Sequence, residues 1–260
     1  MRRLILEEPY SRAAIWGRRL AFFAIALALI SVVVARTNST DPASGLAVLS
    51  GGILMACIAV LFALTGAVVI WRTGRKGAGI VVTTLLVSTL LLAYPTYLAV
   101  LAVQLPLMSD ITTDTLEPPN FMLSKKAMAA RSGRVYSGTT AEQKLQQRAA
   151  YPNVQPMLLD MEGEESYQLV LKAIAARGWR IIDQTIPQTG GRTGNWHIDA
   201  VERTPIMNYQ DDITIRIRPL AGQTRIDIRS ASRIGRHDYG VNASRIEKFT
   251  AELQEQLDNK

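Results

Sequence analysis

Three unbroken apolar runs dominate the first part of the chain: Leu20 to Ala35 (LAFFAIALALISVVVA), Leu46 to Trp71 and Ile80 to Val103. None contains Asp, Glu, Lys, Arg or His, and each is long enough to be predicted as a helix crossing the hydrocarbon of a bilayer, the first near the minimum length. Val33-Val34-Ala35 faintly resembles a signal-peptide cleavage site, but the long, partly acidic segment before Leu20 and the further runs behind it favour an uncleaved span. Gly52, Ala56, Ala59, Ala63 and Ala67 recur at helical spacing in the second run and predict a strip on which another helix of the same chain packs closely. Pro95 is expected to kink the third span, a feature lipid-embedded helices tolerate.

From Asp160 onward the pattern changes to that of a water-soluble domain. Tyr167, Val170, Leu171, Ile174 and Ala175 lie on one helical face of Glu164 to Arg177, with acids in the first turn and Gly178 as a stop. Trp179 to Ile186, Asn195 to Arg203, Asp212 to Arg218 and Thr224 to Ala231 read as strands, the first two joined across PQTGGRTG. A last helix starting near Asn242 is expected to bury Ile246, Phe249, Leu253 and Leu257. Short links between strands predict a two-layer α+β domain: a four-stranded antiparallel sheet with two helices on one face.

In that sheet Ile213, Ile215, Ile217, Ile226 and Ile228 point to the core. Thr214, Arg216, Arg218, Arg225, Asp227 and Arg229 point the other way, to a face expected to meet solvent or a ligand. A loop from Leu220 to Gln223 gives a register with Arg216 opposite Asp227, a favourable pair, and Arg218 opposite Arg225, an unfavourable one. It is preferred to a two-residue Leu220-Ala221 turn, which would oppose Arg216 and Arg225. His197 and Asp199 should share the polar face, near Arg216 and Arg229, if Trp196, Ile198 and Ala200 face the core.

Between the two regions, residues 104–159 are polar and proline-punctuated, with Pro106, Pro118, Pro119, Pro152 and Pro156 and one predicted helix, Thr140 to Tyr151. The apolar anchors Phe121, Met122, Tyr136 and Tyr151 favour a strap packed along the domain over a disordered tether. The expected organisation is therefore a cytoplasmic N-terminus (1–19), a transmembrane region (20–103, spans about 20–35, 46–71 and 80–103), the strap (104–159) and the α+β domain (160–260).

The net charge of +7 tempts a nucleic-acid reading, but its distribution removes it. Before residue 104 nine Lys/Arg face three acids, a balance of +6, so the remainder carries only +1. The excess follows the positive-inside rule: the Arg-rich N-terminus and the link Arg72 to Gly79 belong in the cytoplasm, and three crossings put the C-terminal domain outside, in a bacterium the periplasm. Cys57 is the sole cysteine and the histidines number two, which disfavours a disulfide, a metal centre or any other cofactor.

The densest chemistry lies between Gln223 and Ile246. Arg229, Arg233, Arg236, His237, Asp238 and Asn242 surround a loop leading into a helix N-terminus, a combination able to hold an anion. A structural reading competes with it: Gly235 and Gly240 shape the turn, Asn242 caps the helix and Asp238 pairs with Arg233 or Arg236. A hydrolase acting on a lipid or glycan ester would draw on His237 and Asp238 with Ser230, Ser232 or Ser244, but adjacent His and Asp side chains rarely face each other and no G-x-S-x-G elbow is present. Three ordered motifs, DITTDTLEPPNF (Asp110 to Phe121), AYPNVQP (Ala150 to Pro156) and RSASRIGRHDYGVNASRI (Arg229 to Ile246), resemble the domain of unknown function 1499 family over roughly residues 105–257. The resemblance implies a bacterial envelope setting, often membrane-tethered, and carries no catalytic residues. The expectation is thus a multi-pass inner-membrane protein whose non-catalytic domain binds an envelope protein or an anionic ligand, with the lipid bilayer itself as its other partner.

Overall fold

The computed structural model describes residues 8–37, 42–185 and 195–259. The link PQTGGRTG, Ile186, most of the first interhelical loop and residues 1–7 lie outside the described residues. The chain divides into two compact units, residues 1–100 with 206–208, and residues 101–205 with 209–260.

The first unit is helical. Helix α1 spans Arg12–Arg36, α2 Pro42–Thr73 and α3 Ala78–Gln104. Each is long and apolar enough to cross a membrane, with mean hydropathy of 2.1, 2.8 and 1.9 over its most apolar stretch. α1 begins well before Leu20, because Ser11 caps its first turn by accepting from Ala14 N at 3.4 Å. α1 and α2 pack where their backbones approach. Ala56, Ala59 and Ala63 are fully buried, and a Cβ added to Gly17, Gly52 or Gly66 would lie 3.3, 3.3 or 3.0 Å from backbone atoms of the facing helix. The small-residue strip thus serves packing within the chain.

The second unit contains β1 (Asp110–Thr112), α4 (Lys125–Ala130), α5 (Ala141–Ala150), β2 (Met157–Leu159), α6 (Gly163–Ala176), β3 (Arg180–Gln184), β4 (Trp196–Arg203), β5 (Gln210–Pro219), β6 (Thr224–Ser232) and α7 (Val241–Asp258). All strand pairs are antiparallel, in the order β1-β6-β5-β4-β3, with β2 also on β6. The sheet has six strands, not four. The two additional strands come from the proline-rich segment and are three residues long, too short for alternation to declare them. β1 pairs Asp110–Thr112 with Ala231–Arg229, and β2 pairs Met157–Leu159 with Ile226–Thr224. Together they cover the outer edge of β6, leaving no long open edge there.

The β5–β6 register places Arg216 opposite Asp227 and Arg218 opposite Arg225, as the loop length required. α6 ends at Gly178, whose φ of +66° suits glycine, while Trp179 N–H returns to Ile174 O at 3.1 Å. Trp179 then stacks on Phe249 of α7 with ring centroids 4.8 Å apart. Val170, Ile174, Ile246, Phe249 and Leu253 join the sheet isoleucines in one core, with Leu257 packed partly buried at its margin.

The opposite sheet face departs from expectation. It is not open: Asp199, Asp212, Thr214 and Asp227 are fully buried, and Arg216 and Arg229 nearly so. The chain between β1 and β2 lies across it, bringing a helix the sequence pattern did not declare, α4. Its buried Ala127 packs with Ile182 and Val201 in a separate small cluster.

Candidate functional site

Because the polar sheet face is covered, its charges must find partners inside the protein. The covering segment supplies them. Asp114 Oδ2 lies 2.7 Å from Arg225, 3.4 Å from Arg216 and 3.6 Å from Arg218, and Asp227 lies 2.8 to 3.0 Å from the same three arginines. The repulsion foreseen between Arg218 and Arg225 is resolved by these two carboxylates. Burial by itself raises the Asp114 carboxyl, but the N–H groups of Glu117 and Leu116 and the arginines outweigh it and hold the group below its usual value.

Further along the face, Arg131 and Asp199 form a buried ion pair at 2.5 Å, and Asp199 also accepts from Met122 N at 2.9 Å. Arg131 donates to the Met122 carbonyl. Burial pushes the Asp199 carboxyl up, against the pull of Thr214, Met122 and Arg131. Arg131 and Arg229 flank the Phe121 ring at 5.4 and 5.2 Å. His197 lies across from Arg216 in the β4–β5 pair, and burial followed by that guanidinium holds its imidazole below the usual range.

The six residues singled out around the β6–α7 loop do not converge on one pocket. Arg229 forms a two-pronged pair with Asp110, at 2.9 and 2.7 Å, and donates to the carbonyls of Pro119 and Ser137. Arg233 does the same with Asp212, at 2.9 and 2.6 Å, and reaches Gln210 at 2.7 Å. Tyr136 donates to Asp212 at 2.6 Å, and burial, then the Asp212 charge, pushes its phenol above the ordinary range. Asp238 caps α7: its carboxylate accepts from Asn242 N at 2.8 Å and Gly240 N at 3.2 Å. Asn242 is therefore not the cap. Its side chain lies inside, accepting from Ser230 and Arg245 and donating to Ser109 O and Ser232. Asp238 pairs with neither arginine because backbone N–H groups occupy both oxygens.

His237 takes the Tyr239 N–H on Nδ1 at 2.9 Å and stacks on the Tyr239 ring. Neither Asp238 oxygen bonds to it, Ser230 and Ser232 are bonded to Asn242, and its Nε2 has no hydrogen-bond partner, so no nucleophile–base relay is assembled among the described residues. Burial, with Asp238 and Glu247 nearby, pushes the Tyr151 phenol up to about 12. Arg236 alone of the six is exposed and has no ion-pair partner among the described residues. It borders a cavity of about 230 Å³ whose polar wall includes Asp110, Ser137, Thr139 and Gln143. Among the described residues no group of three His, Cys, Asp or Glu side chains is placed to hold a metal ion.

Sequence reasoning missed Arg131, Asp114 and Arg245 and took Tyr136 only as an apolar anchor. Arg245 donates to Asp211 at 2.5 Å and to Glu202. One signal was available: Arg216, Arg218, Arg225 and Arg229 on the β5–β6 face outnumber its aspartates Asp212 and Asp227 and demand acids from elsewhere, and DITTDT offers Asp110 and Asp114.

The architecture is that of a helical unit with three apolar helices followed by an α+β domain whose second sheet face is sealed by its own N-terminal segment. Residues 110–253, more than half of the chain, match the family described as Protein of unknown function (DUF1499), and the chain belongs to that family. A search of curated proteins found no match. The first two sequence motifs supply β1, Asp110, Asp114, Phe121 and Tyr151, and the third supplies the C-terminal end of β6, from Arg229, and the start of α7.

Proposed function

We propose that this is a multi-pass protein of the bacterial inner membrane, with its N-terminus cytoplasmic and its α+β domain in the periplasm, where the domain acts as a non-catalytic binding module. The observation that carries the membrane reading is exposed apolar surface: only 17%, 22% and 6% of the most apolar stretches of α1, α2 and α3 is buried within the protein. The concentration of positive charge before residue 104 supports the orientation. A binding role follows from how the domain spends its ionisable groups. Nearly every one on the sheet face and the β6–α7 loop is committed to an internal partner, which stabilises a rigid scaffold, whereas Arg236 of that loop, beside its cavity, has no ion-pair partner among the described residues. That position suits an anionic group of a ligand or of an envelope protein.

Alkaline extraction of membranes and a C-terminal reporter active only outside the cytoplasm test the placement. Release into the soluble fraction, or a silent reporter, overturns it. Ester hydrolysis by purified protein that disappears in His237→Ala and Asp238→Ala overturns the non-catalytic role.

A further inference from the structure

The helical unit holds a second cleft, of about 490 Å³, between the start of α1 and the link from α2 to α3. Its cations come from two distant segments: Arg18 from α1, and Arg75 and Lys76 from the link. Backbone contacts hold these segments together, since Ser11 N donates to Lys76 O at 3.0 Å and Tyr10 and Lys76 form a short parallel bridge. Among the described residues no carboxylate lines the cleft, and none of the three cations has a side-chain hydrogen bond or ion pair. Arg19, next in sequence, is engaged over the Trp16 ring at 5.3 Å, so the availability of Arg18 is not a general property of this turn.

The floor is the first turn of α3. Ile80 and Val81 N–H both return to Gly77 O, which leaves the Ala78 and Gly79 N–H groups without partners among the described residues. Gly79 has nothing within 4 Å of where a Cβ would stand, so an anion can approach its backbone closely. The level of the cleft is equally informative. Tyr10 lines it, and Trp16 and Trp71, 52% and 90% exposed, lie at the same end of the α1–α2 pair. Amphipathic aromatic rings at the end of apolar helices mark the headgroup layer of a bilayer.

We propose that this cleft binds the phosphate of an anionic phospholipid headgroup, contacted by Arg18, Arg75, Lys76 and the first-turn N–H groups of α3. The proposal rests on the membrane reading above. Free phosphate shares the chemistry; the headgroup is favoured because the cleft lies beside lipid-exposed apolar helices and opens at the aromatic level.

Full-length protein in detergent, titrated with phosphatidylglycerol or phosphatidylcholine and read by native mass spectrometry, tests it. Wild type should retain phosphatidylglycerol at least tenfold better than phosphatidylcholine. Arg18→Gln/Lys76→Gln should weaken phosphatidylglycerol retention about 25-fold, from roughly fivefold per cation. Arg12→Gln/Arg72→Gln, which removes the same charge outside the cleft, should weaken it less than threefold. Equal loss in the two variants, equal retention of the two lipids, or displacement of bound lipid by millimolar inorganic phosphate overturns the proposal. Alkaline extraction separates the two failures: release of the protein sinks the membrane reading, whereas retained protein with indifferent variants sinks the headgroup site alone.

Discussion

Replacing Arg131 by methionine keeps most of the packed stem but leaves Asp199 buried opposite no cation. Both side chains are essentially inaccessible, at 1% and 0% exposure, so solvent cannot screen the loss. Breaking such a pair costs about 3–5 kcal/mol when the remaining charge persists. Asp199 has an escape, because it can bind a proton. From a reference carboxyl near 3.9, protonation costs about 1.4 kcal/mol per pH unit, hence about 4 kcal/mol at pH 7 and about 1.5 kcal/mol at pH 5. The uncompensated charge therefore costs no more than those amounts. The sign follows from linkage: burial already raises the Asp199 carboxyl, and losing Arg131 raises it further, so the folded variant binds the proton more tightly than the unfolded chain and loses stability as pH rises through that window. Urea unfolding in detergent, followed by the fluorescence of Trp179 and Trp196, should show a deficit of about 3–4 kcal/mol at pH 7, narrowing to about 1.5 kcal/mol or less at pH 5. In Arg131→Met/Asp199→Asn the pH dependence of the deficit should vanish. A deficit under about 1 kcal/mol at pH 7, or one that fails to narrow toward pH 5, would refute the reasoning.

Three further outcomes are expected. His197 has its imidazole held below 6.5, so the unfolded chain takes up the proton first; stability should fall as pH drops through the window just under 6.5, and His197→Gln should flatten that slope relative to wild type in the same urea assay. Asp238→Ala removes the cap of α7 and should cost about 1–2 kcal/mol, whereas His237→Ala should change chemical stability by less than half of that. Gly66→Leu puts a side chain where a Cβ already lies 3.0 Å from Ala14 N and should cost about 1–3 kcal/mol in thermal unfolding; Gly51→Leu, with nothing within 4 Å, should be silent.

What the sequence declares and what it conceals separate along physical lines. The β5–β6 register was legible because isoleucines on one face restrict the pairing, and of the loops that remain the four-residue one sets Arg216 opposite Asp227, whereas a two-residue turn would set it opposite Arg225. α6 was legible from its apolar stripe and its glycine stop. The three helices were legible from hydropathy, although the start of α1 was set by Ser11 and not by the apolar boundary. β1 and β2 were hidden because three residues cannot show a period. The covered sheet face was hidden for a different reason: its arginines look solvated until Asp110 and Asp114, more than a hundred residues earlier, are set against them. At the candidate site, Asn242 was placed correctly at the helix start, yet the capping role went to Asp238, since a side chain three residues before Val241 reaches the Asn242 N–H of the first turn.

The pairing of β1 with β6 also sets a timetable. Asp110 and its partner Arg229 are 119 residues apart, and the covering segment emerges from the ribosome before any strand it will lie across. At about 5–20 residues per second, roughly 6–24 s pass between synthesis of the carboxylate and of its guanidinium. Contacts so distant in sequence close late, because loop closure must precede the reward of pairing. The acids of the first motif therefore wait, hydrated, for a face that exists only when the chain is nearly complete.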